Sequence, residues 1–141
     1  MTAPPRAAEL IAALGMQPHP ERGHYVEIYR SSTRVHPADG RPERAALTTI
    51  FFLLSAGDIS RWHRVNGADE VWHFYEGDPL DLFTAGVAFE RLDRHQLGEV
   101  GAGRPVHVVQ AGVWQAARST GAYTLVGCTV GPGFDFADFE M

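Results

Sequence analysis

The stretch Gly57-Asp-Ile-Ser-Arg-Trp-His63-Arg-Val-Asn-Gly-Ala-Asp-Glu70-Val-Trp-His-Phe-Tyr-Glu-Gly77 frames a histidine and a glutamate between two glycines. His63 follows Gly57 by six residues, Glu70 follows His63 by seven, and Gly77 follows Glu70 by seven. An imidazole and a carboxylate are donors that many divalent metals accept, and glycines suit the turns between short strands. The stretch therefore supplies two candidate functional side chains.

The composition is that of a single globular domain, which we expect to span residues 1–141. A net charge of −5, a pI near 5.7 and the absence of lysine argue against nucleic acid or an anionic membrane surface as a partner. The single cysteine, Cys128, excludes an intramolecular disulfide. Because no segment has the pattern of a signal peptide or a membrane span, we expect a cytoplasmic protein.

The pattern of apolar residues predicts one short helix followed by many short strands. The run Arg6–Leu14 favours a helix that Gly15 ends, residues 17–23 have turn chemistry, and residues 32–44 read as a loop. The predicted strands are Tyr25–Ser31, Leu47–Leu54, Glu70–Tyr75, Leu80–Phe83, Phe89–Leu92, Val106–Val109, Trp114–Ala117 and Tyr123–Val130. This order predicts an antiparallel barrel or jelly roll.

Alternation along the strand that begins at Glu70 predicts which side chains share its face. If Glu70 points into a barrel, Trp72 and Phe74 point inward as well. His73 and Tyr75 then face the opposite side, despite their proximity to Glu70 in the sequence.

Several blocks of the chain resemble one small single-domain cupin family, long described as a domain of unknown function. The Glu-x-Trp-His and Pro-Gly-Phe-Asp-Phe patterns are the most specific. The blocks are Leu14–Glu21, Glu27–Ser31, Thr49–Leu54, Glu70–Leu80, Ala111–Ala116 and Gly131–Phe139. Two residues depart from the resemblance, since Arg22 and His24 stand where the family usually has Gly and Tyr.

The resemblance implies an all-β fold: a double-stranded β-helix, or jelly-roll cupin barrel, with a short N-terminal α-helix, usually as a homodimer. In cupins the spacing of the first motif brings its His and Glu together inside the barrel. Most metal-binding cupins have further histidines where this chain has Val65 and Gln115. The implied metal set is therefore His63, Glu70 and Gln115, a mixture of nitrogen and oxygen donors compatible with Zn, Mn, Ni or Fe.

The leading functional hypothesis is a metal-assisted isomerase or epimerase of a small-molecule substrate. Some relatives look like biosynthetic isomerases or epimerases, including enzymes for the C3 centre of a β-branched 2-oxo acid. The divalent metal would act as a Lewis acid while a base moves the proton. The candidate bases are His24 and Glu27 from the N-terminal strand, followed by Tyr75 and His73, which the alternation argument disfavours.

Substrate contacts are expected from residues that lie near His63, Glu70 and Gln115 in the sequence. Arg61 and Arg64 would pair with a substrate carboxylate. Trp72, Phe74 and Trp114 would form apolar pocket walls.

Two alternatives stay open at this point. One is an iron-dependent dioxygenase, although Val65 and Gln115 occupy positions where such an enzyme usually has histidines. A binding protein without catalytic activity, holding a small metabolite in the barrel, is the other. The aromatic C-terminal segment 134–139 is too apolar to remain in water and is predicted to pack on the barrel or on a second subunit.

Overall fold

A computed structural model describes residues 5–141, so the first four residues of the predicted domain lie outside the described residues. Helix α1 (Arg6–Leu14) has the predicted bounds. The strands are β1 (Gln17–Pro18), β2 (His24–Arg30), β3 (Arg34–Val35), β4 (Arg44–Ala45), β5 (Thr48–Ser55), β6 (Arg64–Val65), β7 (Asp69–Gly77), β8 (Leu80–Ala85), β9 (Leu92–Leu97), β10 (Val106–Val109), β11 (Trp114–Ser119), β12 (Tyr123–Gly131) and β13 (Phe139–Glu140), with a short 3₁₀ helix at Phe136–Asp138.

Two main sheets form the barrel, and all of their strand pairs are antiparallel. One has six strands in the order β1-β2-β5-β12-β7-β10, and the other has three in the order β11-β8-β9. The C-terminal β13 pairs with β6, and β3 pairs with β4. The predicted jelly-roll barrel with a short N-terminal helix is confirmed.

Several sequence predictions differ from the structure, among them the turn predicted at residues 17–23, where Gln17–Pro18 forms β1. Residues 86–91 do not form a strand, because Phe89 lies in a turn with a positive φ of 54° and its N–H donates to the carbonyl of Gly86. The apolar side chain of Phe89 instead packs against Trp62 and Trp114. The predicted loop at residues 32–44 contains the short strand β3 and the start of β4.

The continuous apolar run of β5 is explained by burial on both faces of the strand. Phe52 and Leu54 point into the core between the two sheets. Leu53 points outward, where it packs with Leu10 of α1 and Leu125 of β12. The helix therefore covers the outer face of the large sheet, so this strand lacks the polar alternation of a half-exposed strand.

The alternation predicted for β7 is confirmed. Glu70 and Trp72 are buried, whereas Tyr75 is 51% exposed. Phe74 packs against the inner core.

The turn between β1 and β2 carries Glu21 into the mouth of the barrel. The N–H of His19 donates to the carbonyl of Gly23, and the N–H of Arg22 donates to the carbonyl of His19. The carbonyl of Glu21 accepts the N–H of Arg61 from the opposite loop. Gly23 has a φ of 79°, and a Cβ there would lie 2.7 Å from the carbonyl oxygen of Leu53. The tight approach of this turn to β5 therefore requires glycine.

The C-terminal segment packs on its own barrel. Phe134, Phe136 and Phe139 contact one another edge to face. Asp138 is buried and accepts two hydrogen bonds of 3.0 Å from Arg44. Within residues 5–141, no helix has the length and hydropathy needed to cross a membrane.

Replacing Gly23 with Ala should destabilise the protein far more than replacing Gly57 with Ala. Both glycines have a positive φ, but a Cβ at Gly57 would meet nothing within 4 Å. We expect Gly57→Ala to cost about 1 kcal/mol of backbone strain and Gly23→Ala about 3 kcal/mol or more, because overpacking adds to the strain. Urea unfolding would measure both, and equal losses would show that the contact with β5 is not tight.

Candidate active site

One cavity of about 500 Å³ opens at the end of the barrel beneath the C-terminal segment. Its inner end is polar and is formed by Glu21, His63, Glu70 and Cys128. Glu27 and Arg30 of β2 also line the cavity and are partly exposed. The volume falls in the range of about 300–1,000 Å³ that small-molecule sites occupy.

His63 and Glu21 form a buried ion pair at the inner end of this cavity. His63 Nε2 lies 2.8 Å from Glu21 Oε2, and both side chains are less than a tenth exposed. His63 Nδ1 lies 2.7 Å from the carbonyl oxygen of Arg61. Since both ring nitrogens face oxygen acceptors, the ring is held as the imidazolium.

The electrostatics of the pair favour the charged histidine. Burial by itself would lower the pKa of His63, but the Glu21 carboxylate and, to a smaller extent, Glu70 raise this pKa to about 9. The same imidazolium contributes with burial to a lowered pKa of His19. The Nδ1 atom of His19 accepts the backbone N–H of Glu21, which also requires that nitrogen to be unprotonated.

Glu70 is held by a chain of hydrogen bonds that begins at Trp72. The indole N–H of Trp72 donates to Gln115 Oε1 at 2.8 Å, and Gln115 Nε2 donates to Glu70 Oε1 at 2.8 Å. An indole nitrogen can only donate, so the amide oxygen of Gln115 must face Trp72 and its NH₂ group must face Glu70. Burial raises the pKa of Glu70, and the positive charge of His63 opposes this rise.

The donor atoms of His63, Glu70 and Gln115 do not fit a metal ion in this arrangement. The amide oxygen of Gln115 accepts the indole N–H of Trp72, and Nε2 of His63 is paired with Glu21. Among residues 5–141, no group of three or more His, Cys, Asp and Glu side chains is arranged to hold a metal. The metal centre implied by the resemblance stays a prediction, and the donor geometry argues against it.

An aromatic wall closes one side of the inner cavity. The ring of Phe139 stacks on the ring of His63, with centroids 5.5 Å apart and an angle of 29° between the planes. The C-terminal segment is fastened by Asp138, which pairs with Arg41 and Arg44. The position of Phe139 over the imidazolium therefore depends on an ion-pair network outside the cavity.

Of the four predicted bases, the structure places Glu27 alone in the cavity. Glu27 pairs with Arg30, with 2.7 Å between Glu27 Oε1 and Arg30 Nη2. His24 does not line the cavity; alternation along β2 directs it away from the face that carries Tyr25 and Glu27. His73 and Tyr75 stack on each other on the outer face of β7, as alternation predicted.

The five predicted substrate contacts lie outside the cavity lining. Trp72 and Phe74 belong to the barrel core. Arg64 pairs with Glu140 and covers the ring of Trp114. Arg61 contributes its backbone to His63 and Glu21, while its side chain is exposed.

Sequence reasoning missed Glu21, His19 and the C-terminal phenylalanines as site residues. Glu21 lies in a segment whose prolines and glycine predict only a turn, and no periodicity shows which way a turn residue points. One signal was present, because the block Leu14–Glu21 is among those that resemble the cupin family.

Comparison with known proteins confirms this resemblance. The family model described as Cupin superfamily (DUF985) matches residues 8–141. The chain belongs to this family. A search of curated proteins gives no significant match.

Solved structures show how far the cupin similarity extends. A hypothetical protein from Leishmania major is 32% identical, with 96% of this chain and 86% of that chain covered and a TM-score of 0.88. A protein from Shewanella oneidensis is 35% identical, with coverage of 96% and 83% and a TM-score of 0.85. A dTDP sugar isomerase from Desulfovibrio desulfuricans shares the fold at 12% identity, with coverage of 84% and 80% and a TM-score of 0.59.

The stabilising contribution of the Glu21–His63 pair should be lost in mild alkali. The folded-state pKa of His63 is about 9, above the ordinary 6.5, so its contribution is complete below pH 6.5 and is lost as the pH rises through 9. The free energy of unfolding should therefore fall by up to about 3 kcal/mol across this range. Urea titrations at several pH values would measure the fall.

Glu21→Gln should remove most of this alkaline loss, because it removes the charge that holds the proton on His63. Glu43→Gln is the matched control, since Glu43 pairs with the exposed Arg34 far from the cavity. An equal alkaline loss in wild type and Glu21→Gln would contradict the assignment.

Elemental analysis should find well under one ion per chain in wild-type protein purified without chelator or affinity metal. Val65 lines the cavity, and the double variant Val65→His, Gln115→His supplies imidazoles where metal-binding cupins have them. We expect the double variant to bind Zn²⁺ or Mn²⁺ at least about tenfold more tightly than wild type in equilibrium dialysis. About one ion per wild-type chain, lost in Glu70→Ala, would instead establish the metal centre.

Proposed function

We propose that the protein is an isomerase or epimerase that moves a proton at a carbon next to a carbonyl group of a small molecule. The observation that carries this proposal is the buried cluster of Glu21, His63 and Glu70 at the inner end of a 500 Å³ cavity. Burying ionisable groups costs several kcal/mol unless they are paired. Such clusters in clefts are common where acid–base chemistry is carried out.

The two carboxyl groups of the cluster suit opposite roles in proton transfer. Glu21, paired with the imidazolium, is the base that removes the proton from carbon, and the electron pair passes to the carbonyl oxygen to form an enolate. Glu70, whose pKa burial raises, is the acid that returns a proton to the same carbon or to its neighbour. The positive charge of His63, paired with Glu21, offsets the negative charge that develops during the step.

Residues outside the reacting cluster fix its geometry. Gln115 orients Glu70, and the backbone of Arg61 holds His63 from the other side. Because these partners are themselves buried or part of the barrel, the acid and the base are positioned before substrate arrives. The proposal is also supported by the protein from Desulfovibrio desulfuricans, which has the same fold and is named a dTDP sugar isomerase.

Solvent deuterium exchange tests the proposal. Purified enzyme in D₂O would be given aldoses, ketoses and branched 2-oxo acids, and NMR would follow loss of the proton next to the carbonyl. We expect exchange with at least one class, reduced about 10²–10⁴-fold in Glu21→Gln and in Glu70→Gln. Tyr75→Phe, on the outer face of the barrel, should leave the rate unchanged.

Two results would redirect the proposal. A compound that binds in the cavity but exchanges no proton would favour the binding protein without catalytic activity. Oxygen uptake by iron-loaded protein would favour the dioxygenase.

A further inference from the structure

Both cationic side chains of the cavity lining are already paired with acids of the same lining. Within the described lining, the cationic side chains are Arg30 and His63, and each has an acid partner at 2.7–2.8 Å. Arg30 also donates to the backbone carbonyl of Phe134. His19 adds no positive charge, because its Nδ1 accepts the N–H of Glu21.

A charged ligand would therefore meet an unfavourable partner at each site. A carboxylate or phosphate approaching Arg30 must compete with Glu27 and faces a further acid of the same lining, Asp135. A cation approaching Glu21 must compete with His63. Like charges brought together in a cleft disfavour the wrong ligand strongly. Anions are therefore disfavoured by the acids of the lining, and a cation that enters the inner end meets the imidazolium of His63.

Each pair nevertheless keeps hydrogen-bonding capacity for a neutral ligand. A carboxylate has about four lone-pair sites, and the pairing with His63 uses one at Glu21. Hydroxyl groups can donate to the remaining sites and accept from neighbouring donors without breaking the ion pairs. The lining thus offers many hydrogen-bond acceptors and, among its described residues, no unpaired cation.

Much of the remaining wall is aromatic, beside the aliphatic side chains of Ile50, Val65 and Val130. Tyr25 stands on the β2 side, and Phe134, Phe136 and Phe139 stand on the C-terminal side. A ligand that combines hydroxyl groups at its edge with an apolar C–H face would satisfy both kinds of wall.

We propose that the substrate is an uncharged, polyhydroxylated ring of monosaccharide size, rather than an anionic 2-oxo acid or a sugar phosphate. The inference rests on the proposed function for the reaction at the carbonyl carbon, which a monosaccharide supplies in its open-chain form. Its binding component stands on the charge pairing alone.

Charge-matched probes test the inference. Glucose, glucuronate and glucosamine share one ring and differ in charge, as do galactose, galacturonate and galactosamine, and 3-methyl-2-oxopentanoate represents the 2-oxo acids. Calorimetry and saturation-transfer NMR should show the neutral member of at least one series binding about tenfold or more tightly than its charged relatives. Tighter binding of an acid, an amine or the 2-oxo acid, or no binding by either neutral sugar, would overturn the inference.

A substitution at Glu27 tests the charge pairing through the ratio of two affinities, which a general loss of stability would not change. Glu27→Gln leaves Arg30 without its acid partner, so the preference for the neutral sugar over its uronate should fall at least about fivefold. Glu43→Gln makes the same change of charge outside the cavity and should leave the ratio unchanged. An unchanged ratio in Glu27→Gln would contradict the pairing argument.

The outcomes separate the two proposals. Sugar binding without deuterium exchange would leave the substrate class standing and defeat the isomerase. Exchange on a 2-oxo acid without sugar binding would do the reverse.

Discussion

The buried indole N–H of Trp72 is the constraint that orders the inner end of the cavity. This group can only donate, and Gln115 is its acceptor inside the barrel. Leaving it without a partner would cost about 1–3 kcal/mol, so the amide of Gln115 cannot turn to offer its oxygen elsewhere. The consequence passes to Glu70, which receives an N–H donor at 2.8 Å and is therefore oriented by protein alone.

The second ordering contact joins two parts of the chain that are far apart in sequence. Glu21 comes from the turn between β1 and β2, whereas His63 directly precedes β6. The contact is possible because Gly23 lets the turn approach β5 closely and because the carbonyl of Glu21 is held by Arg61. The charge state of the cavity thus depends on a backbone turn as much as on the barrel.

The sequence predicted the barrel, the helix bounds and the inward face of β7, because period-two alternation and glycine turns are local signals. It also predicted that His63 and Glu70 meet, through the spacing of the cupin motif. The roles of His24 and Gln115 could not be read in this way. Whether His24 reaches the cavity depends on which face of β2 is covered. Whether Gln115 can bind a metal depends on Trp72, whose indole N–H engages the amide oxygen. Glu21 was missed since the direction of a turn side chain is set by tertiary contacts.

The replacement of histidines by Val65 and Gln115 changes how a cupin barrel balances charge. A divalent ion would neutralise Glu70 directly, and imidazole ligands would offer it lone pairs. In this chain Val65 offers nothing, and Gln115 offers N–H donors to the carboxyl group instead. The positive charge comes from His63 itself, and a second acid, Glu21, is needed to keep that imidazole protonated in a buried position. His63 and Glu70 thus keep their places in the barrel, while Glu21 supplies a countercharge to one and Gln115 supplies a hydrogen-bond donor to the other.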